Sequence, residues 1–179
     1  MDLKRKNGDA GINYLVNDGT LDIKRLVKMD VIIVGERHGN LDDENLVLKL
    51  CKTFKPNTVL VEGLGNLSLP SMEVKKEALN IKKEDLYYHE FTRHWINLSI
   101  KAGDIPFKGM EYVDWEKEDL DIKGMSYKES FKIREAHFLR MIRKYAKVGK
   151  VLAVCGDTHM RSIVTKVLGP VSPIYKAYI

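Results

Sequence analysis

Asp30-Val31-Ile32-Ile33-Val34-Gly35-Glu36-Arg37-His38 decides the fold. It is a short β-branched run that stops on a glycine and then presents Glu36 and His38. Three further stretches share its form: Thr58-Val59-Leu60-Val61 into Glu62, Pro106-Phe107-Lys108-Gly109-Met110 into Glu111, and Val151-Leu152-Ala153-Val154-Cys155-Gly156 into Asp157 and His159. A strand buried on both faces reads as a continuous apolar run, and helical patterns between such runs indicate parallel strands. The expectation is a three-layer α/β/α fold with a mainly parallel central sheet. Sheets of this kind bind ligands outside the carboxyl ends of their strands. Here those ends carry carboxylates and imidazoles, groups able to act as bases, acids or metal ligands.

Working outward, the segments between the runs read as helices. Asp42 to Phe54 places Leu46, Leu50 and Phe54 four apart, and Pro56 stops it. A polar helix is expected over Ser71 to Leu79. Another, over Leu86 to Ala102, has Tyr87, Phe91, Trp95, Leu98 and Ala102 on one stripe. The longest is expected from Ser126 to Val148 with Gly149 as its C-cap, and a last one covers 159–168. A short helix over Leu21 to Lys28, a loop or short helix over 114–121 and a terminal strand over Val171 to Tyr178 complete the expected elements. The whole of 1–179 is expected to form one α/β domain.

Composition bounds the function. With 44% hydrophobic and 31% charged residues the chain is an ordinary globular one. No apolar run approaches the ~18 residues of a membrane span. The start, Met1 to Lys6, is charged with no apolar stretch behind it, so no signal peptide is read and a cytoplasmic location is expected. The net charge of +5 comes from lysines alternating with acids, which describes a solvated face. No nucleic-acid pattern accompanies it, so neither a nucleic-acid nor a membrane partner is expected. Cys51 and Cys155 lie in apolar patterns and read as packing residues.

Glu36 and His38, between Gly35 and Gly39, would leave the first strand together; a base with an orienting carboxylate is one reading, and a solvated Glu36 with His38 capping the next helix is the other. Gly35 is read here as a residue that turns the chain off the strand. Asp157 and His159 repeat the arrangement, although Asp157 or Thr158 would also serve as a plain N-cap. Glu62, at the end of a buried strand, needs a partner. Arg134 supplies one, lying three residues after Phe131 and four before Phe138 within the apolar stripe of the long helix. A buried structural ion pair and a catalytic group fit Arg134 equally. Glu111 is the weaker third carboxylate. His89 and His94 are five apart, ~140° around a helix, and so do not make a zinc-protease pair.

The order of these pieces resembles the superfamily of erythromycin esterases, ChaN-like haem-binding proteins and TraB/Tiki proteins. The matching pieces are Gly35-Glu36-Arg37-His38, Val61-Glu62, Gly109-Met110-Glu111, Arg134-Glu135 and Gly156-Asp157-Thr158-His159, spread over about residues 30–165. The resemblance implies a pocket at the strand ends. Its branches differ in activity: metal-free hydrolases with a histidine base, metal-dependent proteases, and haem binders. This chain is shorter than the esterases and has no lobe corresponding to theirs, so no substrate carries over.

Two functions follow as expectations. The first is a small hydrolase-like enzyme acting on a small molecule or peptide. In it His38 activates water, Glu36 and Glu62 orient that water or bind a divalent metal (Mn, Zn or Co), and Arg134 with His159 steadies a developing anion. Arg37, Glu111, Asp157 and His137 would contact substrate, and Glu36, His38, Glu62 and His159 would hold any metal. The second is a non-catalytic binder of haem, a metal or a small anion in the same pocket. A homodimer is compatible with either, and a pure interaction protein is the third idea.

Overall fold

The computed structural model describes residues 14–16, 29–37, 41–86, 89–111 and 126–168. In chain order these form β1 (Tyr14–Val16), β2 (Val31–Glu36), α1 (Leu41–Phe54), β3 (Thr58–Val61), a 3₁₀ turn (Glu62–Leu64), β4 (Ser68–Leu69) and α2 (Met72–Ala78). A second 3₁₀ turn (Lys83–Asp85) precedes α3 (His89–Lys101), β5 (Phe107–Gly109), α4 (Tyr127–Ala146), β6 (Val151–Gly156) and α5 (Asp157–Leu168). His38, the expected helix 21–28, the loop or short helix 114–121 and the strand 171–178 lie outside the described residues.

The strands make one six-stranded sheet in the order β1-β2-β6-β3-β5-β4. All pairings are parallel except that of β4 with β5, where Ser68 faces Lys108 and Leu69 faces Phe107. The last of the described strands, β6, therefore sits in the middle, with Ile32 and Leu60 on either side of its Leu152–Ala153 step.

Side chains alternate strictly across this sheet, as the two-residue period of a strand requires. Ile32, Val34, Val59, Val61, Leu152 and Val154 pack with Leu46 and Leu50 of α1 and Trp95 and Ile96 of α3. Val31, Ile33, Leu60, Val151, Ala153 and Cys155 pack on the opposite face with Phe138 and Ile142 of α4 and Met160 and Ile163 of α5. The protein is thus a three-layer α/β/α sandwich. The chain moves from β2 out to β5 through helices of the first face and returns to β6 through α4 on the second. A reversal of direction needs that change of face if every crossover keeps one hand.

Some local expectations change. The helix expected over Leu86–Ala102 is described over His89–Lys101, with Leu86 closing the preceding 3₁₀ turn and residues 87 and 88 outside the described residues. The long helix ends at Ala146 with Lys147 as C-cap, and its N-terminus is a capping box between Ser126 and Glu129. Gly149 does not cap it; a Cβ there would lie 2.5 Å from Asn57 Cγ, so glycine is required by the neighbouring loop. Among the described residues no helix is long and apolar enough to cross a membrane.

Candidate functional site

The parallel order brings the ends of β2, β6, β3 and β5 to one edge of the sheet. Glu36 is the last residue of β2 and is 6% exposed. Glu62 follows β3 directly and opens the 3₁₀ turn, so its side chain leaves the sheet edge instead of entering a core face. Glu111 follows β5 by two residues and is buried. β6 passes straight into α5, which places His159 in the first turn of that helix, 5% exposed.

Arg134 reaches this edge from α4. Its Nε donates to Glu111 Oε1 at 2.9 Å and its Nη2 to Glu111 Oε2 at 2.5 Å, a bidentate pair. Nη2 also donates to Glu62 Oε1 at 2.7 Å. The other Glu62 oxygen, Oε2, accepts from the Gly156 amide at 2.8 Å. A buried carboxylate is costly unless its oxygens are met by donors, and these contacts meet that need. The fork of a guanidinium suits the task as an ammonium would not.

His159 stands between two carboxylates. Its Nε2 is 3.5 Å from Glu62 Oε1, and its Nδ1 is 3.6 Å from Glu135 Oε1. Glu135 is 1% exposed, and its Oε2 accepts from Ser162 Oγ at 2.6 Å. The imidazole lies flat on Phe131, with ring centroids 3.9 Å apart and planes 13° apart, while Phe138 meets it edge-on at 5.3 Å. The potential at the ring is therefore set by these carboxylates as well as by the N-terminus of α5.

The remaining expected residues divide. Arg37 is exposed and tied to α1: its amide donates to Asp43 Oδ2 at 2.8 Å and its Nε lies 3.5 Å from the same oxygen. Asp157 pairs along α5 with Arg161, Oδ2 to Nη2 at 2.7 Å. His137, one turn along α4 from Arg134, is half-buried and lies 2.8 Å from Arg140 through Nδ1 and Nη2. Burial, then the Arg140 charge, holds its imidazole below the ordinary histidine range, against the opposing pull of Glu111. His38 lies outside the described residues, so it is the central residues Glu36, Glu62, Glu111, Arg134 and His159 that the structure brings to one edge.

The reason for Gly35 also changes. It lies inside β2, paired with Cys155, and does not turn the chain. A Cβ there would stand 2.8 Å from Met160 Cε and 2.9 Å from Asp157 Oδ1. Glycine lets the first turn of α5 approach the strand end, and so sets the height of His159 above the sheet.

Ser162 and Asp43 are contributors that the sequence does not single out, and Glu135, present there only as the second half of the Arg134-Glu135 piece, is not among the expected site residues. Glu135 had the same signal as Arg134, being four residues after Phe131 and three before Phe138 in the inward stripe. His94 makes an ion-pair contact with Glu44, Nε2 to Oε1 at 2.8 Å, joining α3 to α1. Both cysteines are free and buried. Burial, followed by the negative charges of Glu62, Glu36, Glu135 and Asp157, pushes the Cys155 thiol well above its ordinary range, which removes it as a nucleophile.

Among the described residues no group of three or more His, Cys, Asp or Glu side chains is arranged to hold a metal ion. Of the four ligands expected for one, His38 is outside the description, and Glu62 already accepts hydrogen bonds on both oxygens. Compared with known proteins, the chain matches no family model, no curated protein and no solved structure.

Proposed function

We propose that this chain is a small hydrolase-like enzyme that moves a proton through His159 at the carboxyl edge of its sheet. The observation that carries the reading is the enclosure of a buried imidazole by Glu62 on Nε2 and Glu135 on Nδ1, 3.5 and 3.6 Å away. Hydrolysis needs a group that takes a proton from water and returns one to the leaving group. An imidazole does both near neutral pH, and its neighbours decide which nitrogen does so. His38 is the water-activating partner in this reading, and Glu36, two residues before it in the sequence, is the carboxylate that would orient it or the water. Of the two roles expected for Arg134, its contacts favour the ion pair. Its hydrogen bonds to Glu62 and Glu111 make it the group that holds those carboxylates in place. The substrate is a small molecule or peptide, and the setting is the cytoplasm. The likeness of the motif order to the esterase and TraB/Tiki branches supports the same reaction class.

The test is turnover by the full chain on a panel of p-nitrophenyl esters and fluorogenic peptides, with and without Mn²⁺, Zn²⁺ or Co²⁺. His38→Ala and His159→Gln are expected to lower kcat by at least ~100-fold. A folded wild-type protein that hydrolyses nothing on the panel, but whose Tm rises with haemin or a metal, establishes the ligand-binding reading instead.

A further inference from the structure

We infer that Glu135 is a positioning residue of this site: held by Ser162, its carboxylate fixes a proton on His159 Nδ1 and turns Nε2 toward Glu62 and the strand ends. The inference rests on the reading of His159 as the proton carrier, and it names what makes that ring competent.

The ring plane is set first. Phe131 stacks on one side at 3.9 Å and Phe138 closes the edge, so the imidazole is confined to one plane with its nitrogens pointing in opposite directions. One direction leads to Glu62 and the other to Glu135. A neutral imidazole has a single N–H, and an ionised carboxylate only accepts, so the two carboxylates compete for one proton. Glu62 is already met by the Arg134 guanidinium on Oε1 and by the Gly156 amide on Oε2, and a further donor adds less there. Glu135 is 1% exposed, and Ser162 donates to its Oε2 at 2.6 Å, which aims Oε1 at the ring. At 3.6 Å that contact is longer than a hydrogen bond. Catalytic contacts of this kind are often long before substrate arrives and tighten in the complex. With the proton on Nδ1, the Nε2 lone pair is the one presented at the sheet edge, where it can take a proton from a reacting group.

A structural role for Glu135 makes a different forecast. If it only ties α4 to α5 through Ser162, its loss lowers stability and leaves the ring unchanged.

The experiment is long-range ¹H–¹⁵N NMR of the full chain labelled on histidine, with the His159 signals assigned by His159→Gln. The expected wild-type spectrum at neutral pH has a protonated Nδ1 and a bare Nε2. A wild-type ring with a bare Nδ1 and a protonated Nε2, or one protonated on both nitrogens, overturns the proposal without any variant. Glu135→Gln, which keeps the shape of the side chain, is expected to move the ring toward the Nε2–H form. An unchanged ring in a folded Glu135→Gln protein also overturns it. Because neither readout uses turnover, a missing hydrolase activity and a misplaced proton are separate results. Where turnover is measurable, Glu135→Gln is expected to lower kcat by ~10–100-fold with KM little changed.

Discussion

Arg134 grips Glu111 through two parallel hydrogen bonds, Nε to Oε1 at 2.9 Å and Nη2 to Oε2 at 2.5 Å, and this pair holds the far side of the site together. It joins α4 to the end of β5 across the sheet edge, and Glu62 is drawn into it through the same Nη2. Replacing Arg134 by Met leaves two buried carboxylates without their cation. Breaking a buried pair on one side costs ~3–5 kcal/mol, and Arg134→Met is expected in that range by urea denaturation. Arg134→Lys keeps the charge but loses the fork, and should fall between the two. Equal stability of wild type and Arg134→Met would mean the network contributes nothing to folding.

Gly35 controls the approach of α5. Because a Cβ at this place would meet Met160 Cε at 2.8 Å and the Asp157 Cα at 3.1 Å, Gly35→Ala must shift backbone as well as a flexible side chain. Overpacking of this kind costs ~1–3 kcal/mol. His159 is two residues beyond Asp157, so the same shift should perturb its ring signals in the NMR experiment. Gly103→Ala is the control: a Cβ there meets nothing within 4 Å, and the cost comes only from its φ of +77°. It is expected to lose stability while leaving the His159 ring signals in place.

His137 makes stability depend on pH in a direction that can be worked out. Burial first, and then Arg140, lowers its folded-state value below the ordinary 6.5. As pH falls through that ordinary value, the unfolded chain takes up the proton before the folded one does. Stability from this residue is therefore present above pH 6.5 and declines as pH drops toward the lowered folded value. Urea midpoints taken at pH ~8 and pH ~5.5 should fall further for wild type than for His137→Gln. The other histidines are common to both proteins and cancel in that comparison. Parallel pH profiles would show that His137 is no more perturbed folded than unfolded.

The sheet was legible because its inner strands are buried on both sides and leave continuous runs, Val31–Val34, Val59–Val61 and Val151–Cys155, that no amphipathic helix would show. The two-residue strand Ser68–Leu69 leaves no periodic trace, being an antiparallel edge held by two pairings with β5. Strand order was hidden too, since it depends on which crossover follows which. Only the insertion of β6 between β2 and β3 puts the Gly156 amide beside Glu62. The inward stripe of α4 marks Arg134 and equally marks Glu135; a buried strand-end carboxylate in need of a cation explains the first, while Ser162, which meets the second, sits on α5. Ser162 meets Glu135 only because α4 and α5 pack side by side, which no local pattern encodes. Gly35 reads as a turn because glycine at a strand end permits one, whereas in the structure it serves a close approach.

Lys75 provides a last test, far from the candidate site. It is fully buried in α2, and its Nζ donates to the carbonyls of Ser99 at 3.0 Å, Gly103 at 2.5 Å and Ile105 at 2.6 Å. These are groups at the C-terminal end of α3 and the turn beyond it, where helix carbonyls have no partner within the helix and a cation is favoured. Arg93 of α3 reciprocates, donating to Leu79 and Ile81 just past the end of α2. Burial lowers the value of the Lys75 ammonium, and the Asp104 and Cys51 groups pull the other way. Lys75→Met preserves most of the side-chain volume but strands the carbonyls, and each stranded acceptor costs ~1–3 kcal/mol. The variant is expected to lose at least ~2 kcal/mol in urea denaturation while the His159 ring signals stay as in wild type. A loss of stability accompanied by a changed His159 ring would show that the α2–α3 pair and the sheet edge are coupled; a variant as stable as wild type would show that water replaces the ammonium at the end of α3.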